Sequence, residues 1–155
     1  MQKQVNQQNL TELRESLAEY GGRSDHAGQL ILQQIREAIV VKEGASPALR
    51  VKGSAVNPQL VINALDSADI GYWLGKLIEG AQNEDVMAGT DHAMLTTDDE
   101  PAKVLTLDRA AVLAGIEVMA ARFPRHFANL ITDNSDAETG DVLIQCALFG
   151  DIIYG

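Results

Sequence analysis

Cysteine is nearly absent from this chain. Cys146 stands alone, so no intrachain disulfide can form, and the composition suits a reducing compartment. Positive charge is also scarce, with 12 Lys/Arg against 22 Asp/Glu and a net charge of −10. Such a field repels nucleic acid and anionic membrane and attracts basic partners, which argues against direct nucleic-acid binding. The longest apolar stretch, within 142–154, is broken by Asp151 and falls well short of the roughly 20 residues needed to span a bilayer. The opening Met-Gln-Lys-Gln-Val-Asn lacks the apolar core of a secretory signal, so a cytoplasmic protein without membrane association is expected. The three histidines, His26, His92 and His126, form no His-x-x-x-His motif, and no Cys pair exists, which leaves no ready-made zinc site. No glycine-rich phosphate loop is present either, because Gly21-Gly22 lacks a following Lys-Ser/Thr. No cofactor, metal or catalytic residue is assigned.

What is present fits one domain of 155 residues, a length at which about 70% of the unfolded chain's surface can be buried. The charge is uneven. Residues 1–80 carry eight Lys/Arg and nine Asp/Glu, net −1, while 81–155 carry four and thirteen, net −9. Acidic residues concentrate in 82–102, with Glu84, Asp85, Asp91, Asp98, Asp99 and Glu100 and no Lys/Arg. The segment reads as a long irregular acidic loop, and loops of that length are commonly functional.

Periodicity predicts helices along most of the chain. After a polar, disordered 1–9, Asn9 and Glu12 make a capping box for a helix to Tyr20, and Ser24 or Asp25 opens another to about Lys42, the two forming a helical hairpin. Asn57-Pro58 starts a short helix to Leu65, and Asp66 or Ser67 restarts the chain into a helix to about Ala81. Residues 108–123 are apolar on nearly every side and read as the central helix. Pro124 opens a helix over 124–132, and Ser135 with Glu138 caps a last one that ends at Gly150. The expected fold is therefore all-α, a bundle of five to seven helices around 108–123. Any strand is confined to 48–56 and 92–107, where a small β-hairpin pairing 93–97 with 103–107 is the alternative to the irregular loop.

Few residues suggest chemistry. His92 beside Asp91 is the best acid/base or metal candidate, since a carboxylate can orient an imidazole. Asp133–Asp141 superficially resembles a calcium loop but has Glu138 where glycine is needed. Arg122, Arg125 and His126 form a cationic cluster that could hold an anion or pair with nearby carboxylates. Cys146, Trp73 and Tyr72 read as core or interface.

The segments Ala121-Arg-Phe-Pro-Arg-His-Phe-Ala128 and Asp136-Ala-Glu-Thr-Gly-Asp-Val-Leu-Ile-Gln-Cys-Ala-Leu-Phe-Gly-Asp-Ile-Ile-Tyr-Gly155 resemble the C-terminal part of small uncharacterised phage or prophage proteins. The likeness covers about a third of the chain and implies no activity. It implies a mode of action, the binding of host proteins. The leading expectation is thus a non-enzymatic interaction module with a basic protein partner, contacted through Asp85, Asp91, Asp98, Asp99, Glu100, Ile152, Ile153 and Tyr154. The apolar cluster Ile152–Tyr154 is expected at a homodimer contact. The alternatives are an acidic mimic of nucleic acid and a small metal-dependent or hydrolytic enzyme using Asp91 and His92.

Overall fold

The computed structural model describes residues 51–155. The hairpin expected over 9–42 and the polar start at 1–9 lie outside the described residues. The fold is mixed rather than all-α. The described residues form five helices and a three-stranded antiparallel sheet: α1 (Pro58–Ser67), β1 (Leu74–Glu79), α2 (Asn83–Ala88), β2 (Ala93–Thr97), β3 (Val104–Leu107), α3 (Arg109–Arg122), α4 (Pro124–Ile131) and α5 (Ala137–Phe149). A short 3-10 turn at Gly53–Ala55 precedes α1, within the 48–56 stretch to which any early strand was confined.

α1 starts as its sequence predicts. Asn57 Oδ1 accepts from Gln59 N at 2.9 Å and Pro58 takes the first turn, where a missing N–H costs nothing. The helix does not restart at Asp66, however. Ala68 adopts extended backbone, residues 70–74 turn through the Trp73 and Leu74 N–H bonds to Ile70 O, and the chain leaves as β1. Gly71, Gly75 and Gly80 supply the reason, since each costs a helix about 1 kcal/mol relative to alanine, while Tyr72, Trp73 and Ile78 favour extended backbone. Gly75 also serves the sheet, because a Cβ there would collide with the Thr97 carbonyl.

The sheet has the order β1-β2-β3, with Leu77 opposite Leu95, Leu95 opposite Leu105, and Thr96 opposite Val104. Register shifts on both sides of Lys76-Leu77 irregularise β1, the most exposed strand. Strand alternation buries Leu95, Thr97 and Leu107 and leaves Val104 and Thr106 outward. The acidic segment 82–102 is consequently not irregular, because α2 and β2 lie within it. α2 ends at Gly89 in the left-handed conformation, φ 78°.

α3 is capped by Asp108, whose carboxylate accepts from Ala111 N at 2.8 Å. It buries Val112, Gly115, Ile116, Met119 and Ala120 but exposes Ala110, Ala114 and Glu117. The all-round burial expected of this helix belongs to α5, in which every residue from Thr139 to Cys146 is buried. Alanine explains the difference, since it is tolerated in water as readily as in a core and so leaves no clear polar face to read. α5 meets its neighbours through small residues. Gly115 lies against the Ala147 backbone and Gly140 against that of Ala64 and Ala68, so backbones approach closely where α5 packs on α3 and on α1. The N-cap of α5 is Asp136, accepting from Thr139 N at 2.8 Å, one residue later than expected, and Ser135 Oγ is buried without a partner. Among the described residues, no helix is long and apolar enough to cross a membrane.

Candidate functional site

On α5 two polar side chains four residues apart, Asp141 and Gln145, are buried in addition to Thr139 near the start of the helix. Their spacing places them on one face, one turn apart. Asp141 is only 7% exposed and accepts three hydrogen bonds, from the Tyr72 hydroxyl, from Trp73 Nε1 at 2.8 Å and from Gln145 Nε2 at 2.9 Å. A buried carboxylate without such donors would be strongly destabilising. The turn that replaces the expected 66–81 helix is what delivers Tyr72 and Trp73 to it.

Gln145, fully buried, continues the network into the segment beyond Gly150. Its Oε1 accepts from Ile153 N and Tyr154 N, both at 2.8 Å, and its Nε2 donates to Tyr154 O at 3.2 Å. The Tyr154 ring stacks on Trp73, 5.3 Å between centroids and 7° from parallel, with Phe149 edge-on to both rings. The Tyr154 hydroxyl donates to Asp99. Burial and then the Asp141 hydrogen bond push the Tyr72 hydroxyl up to about 12, and the Asp99 hydrogen bond raises that of Tyr154. Both hydroxyls are engaged as donors to carboxylates, which suits a clasp.

Beside this clasp lies an open depression of about 240 Å³ lined by Asp69, Tyr72, Ala137, Glu138 and Asp141. Asp69 is set by the turn after α1, where its N–H reaches Ala137 O at 3.4 Å and its Oδ1 accepts from Gly71 N at 3.4 Å. Glu138 comes from the first turn of α5. Three carboxylates and a phenol thus line one small basin, with no Lys or Arg among the lining residues. Such a lining suits an ammonium or guanidinium group.

The residues singled out by sequence are scattered. Asp85, Asp91, Asp98 and Glu100 are exposed at separate points of the segment before β3, while Asp99 and Tyr154 are brought together. Ile153 is 53% exposed, but Ile152 and Tyr154 pack on the chain's own core. His92 does not take Asp91 as an orienting partner: Asp91 accepts from the His92 backbone N–H at 2.8 Å, and the imidazole Nε2 lies 3.4 Å from Glu79. Arg122 pairs with Asp151 at 3.2 Å and donates to Gly150 O, His126 meets Thr139 and Glu138, and Arg125 is exposed, so these cations do not share one anion site. Among the described residues, no group of three or more His, Cys, Asp or Glu is arranged to share a metal. Cys146 is buried and its thiol pushed up to about 12 by that burial, which makes it unreactive. Asp141, Gln145 and Asp69 were missed by sequence reasoning, although polar residues at i and i+4 on an apolar helix face were a usable signal.

Comparison with protein-family models, with curated proteins and with solved structures finds no match.

Proposed function

We propose that this protein is a non-enzymatic interaction module that binds a basic segment of a partner protein, seating a Lys or Arg side chain in the depression between α1, the Tyr72 turn and α5. The observation that carries this reading is the lining itself: the exposed carboxylates Asp69 and Glu138 at an open basin beside Tyr72, with Asp141 beneath them held by its own three donors, in a chain of net charge −10. The phage-protein resemblance of 121–128 and 136–155 adds that the partner is a host protein.

The other two readings have less support. An enzyme would need a group free to take a proton or attack, whereas Asp141 is already bonded to three donors and Tyr72 is held protonated. A nucleic-acid mimic would need its acids arrayed on the surface. Here the exposed Asp85, Asp91, Asp98 and Glu100 are divided among α2, the loop before β2 and the turn before β3, while Asp108 and Asp136 cap helices, Asp151 pairs with Arg122, Asp99 accepts from Tyr154 and Asp141 is buried.

A fluorescent arginine-rich decapeptide tests the proposal by anisotropy. Binding at low salt is expected to weaken about tenfold in Asp69→Asn/Glu138→Gln, since two solvent-facing ion pairs contribute about 0.5–1 kcal/mol each. It should change little in Asp91→Asn/Asp98→Asn. The reverse pattern would transfer the site to the 82–102 segment, and equal small losses in both variants would reduce the interaction to bulk charge.

A further inference from the structure

Tyr72 and Trp73 are neighbours in sequence with opposite fates. Trp73 is 2% exposed in the core, whereas Tyr72 is 55% exposed and lines the depression with Asp69 and Glu138. The exposed ring is nevertheless held. Its hydroxyl donates to Asp141, and Gln145 Nε2 and Tyr154 O each lie 3.4 Å from the same oxygen. Three partners at the tip fix the ring while its carbons stay open to water, so a ligand laid on it covers apolar surface without first having to order a side chain. Donation to a carboxylate also leaves a phenol ring richer in electrons, which strengthens the pull of its face on a cation.

The two exposed carboxylates beside the ring come from different elements, Asp69 from the turn after α1 and Glu138 from the first turn of α5. Asp69 Oδ1 accepts from Gly71 N at 3.4 Å, and Glu138 Oε1 lies 3.9 Å from His126 Nε2. A cation in the basin therefore meets acid and an aromatic surface together, and the two cationic side chains answer that pairing differently. The lysine ammonium is a compact, strongly hydrated point charge that gains from the acid alone. The arginine guanidinium is planar and weakly hydrated, and it can lie on a ring while the N–H groups at its edge serve carboxylates.

We propose, resting on the reading of the basin as the binding site, that the depression selects arginine over lysine and that Tyr72 makes the selection, its ring taking the guanidinium face while Asp69 and Glu138 accept from the edge. Asp141 is then a positioning residue, which acts through the Tyr72 hydroxyl and not on the ligand. The two ends of Tyr72 have separable parts: the hydroxyl places the ring, and the ring discriminates.

The test uses two fluorescent decapeptides of equal charge and spacing, one with arginine and one with lysine at every basic position, titrated at low salt. The unaltered chain is expected to bind the arginine peptide about two- to fivefold more tightly, the gain from one solvent-exposed contact between a cation and a ring. The preference should persist in Tyr72→Phe and vanish in Tyr72→Leu, with the lysine peptide bound about equally by all three chains. A preference retained in Tyr72→Leu, or lost already in Tyr72→Phe, overturns the ring as the discriminating group. Equal binding of both peptides that disappears in Asp69→Asn/Glu138→Gln overturns the selection and leaves the basin standing, whereas no binding, or binding untouched by that double variant, overturns the basin and the selection with it. If Tyr72→Leu does not fold, the unaltered chain decides by nuclear Overhauser contacts: cross-peaks between the Tyr72 ring protons and the arginine side-chain methylenes are expected, and their absence in the bound state overturns the proposal.

Discussion

Gly115→Ala isolates the contact on which the helical layer depends. A Cβ at this position would lie 2.6 Å from Ala147 N, 2.7 Å from Ala147 Cα and 2.9 Å from Ala147 Cβ. Ordinary carbon contacts fall at about 3.5–4.0 Å, so α3 and α5 must separate by about 1 Å, and a gap of that size forfeits a quarter to a half of the dispersion attraction across it. The obstructing atoms are mostly backbone and cannot rotate aside, which places the overpacking cost toward the upper part of its usual range of about 1–3 kcal/mol. Alanine's better helix propensity returns about 1 kcal/mol. The net is a destabilisation of about 1–2 kcal/mol, read as a lower urea midpoint at unchanged slope with Trp73 fluorescence as the probe. Ala147→Gly in the same chain should recover less than half, because it removes one of the three close atoms and leaves the other two. A gain in stability for Gly115→Ala would refute the close crossing of α3 and α5.

Three further outcomes follow from the clasp and the caps. Trp73→Phe keeps most of the ring contact but removes one donor to Asp141, and should cost about 1–3 kcal/mol in thermal or urea unfolding, the range for a buried acceptor losing a partner. Tyr72 has its folded value raised above 10, so its contribution is fully present below pH 10 and lost as pH rises toward about 12; a stability profile over that window should fall, and should flatten in Tyr72→Phe. Asp136 is held below the usual carboxylate range: burial alone would raise it, but hydrogen bonds from the Thr139 backbone and hydroxyl and from its own N–H, with His126 nearby, outweigh that. Its stabilisation is present above the unfolded carboxylate value of about 3.9 and is lost as pH falls from there through the lowered folded value, so Asp136→Ala should cost about 1 kcal/mol at neutral pH and progressively less on acidification when unfolding is followed by circular dichroism.

Much of the fold was legible because local chemistry decided it. Asn57-Pro58 starts α1, Pro124 starts α4 and Gly150 ends α5, and each signal acts within four residues. The β2–β3 hairpin was legible only as an alternative, a pairing of 93–97 with 103–107 set against the irregular loop that the acidic composition of 82–102 suggested. What misled was 66–81, where Ile70, Trp73, Leu74, Leu77 and Ile78 recur at three- and four-residue spacing yet belong to a turn and a strand. There the glycines lower helix propensity, and the pairing of Leu77 with Leu95 and the Trp73 bond to Asp141 are long-range gains that no window along the chain contains. The site was illegible for the same reason, since Asp69, Tyr72, Glu138 and Asp141 meet only after α1 and α5 have packed. The acid-rich 82–102 segment drew attention by its composition, although its carboxylates are dispersed over α2, β2 and the turns around them.

The Trp73 indole N–H offers the most direct test of the acidic depression, because this chain has one tryptophan and its indole is bonded to Asp141 at the floor of the basin. In a nitrogen–proton correlation spectrum of the labelled protein, titration with an unlabelled arginine-rich peptide at low salt should move that single indole peak progressively, with the backbone peaks of Asp69 and Glu138. The same titration of Asp69→Asn/Glu138→Gln should leave it nearly still. An indole peak that stays in place while peaks of residues 82–102 shift would contradict the account.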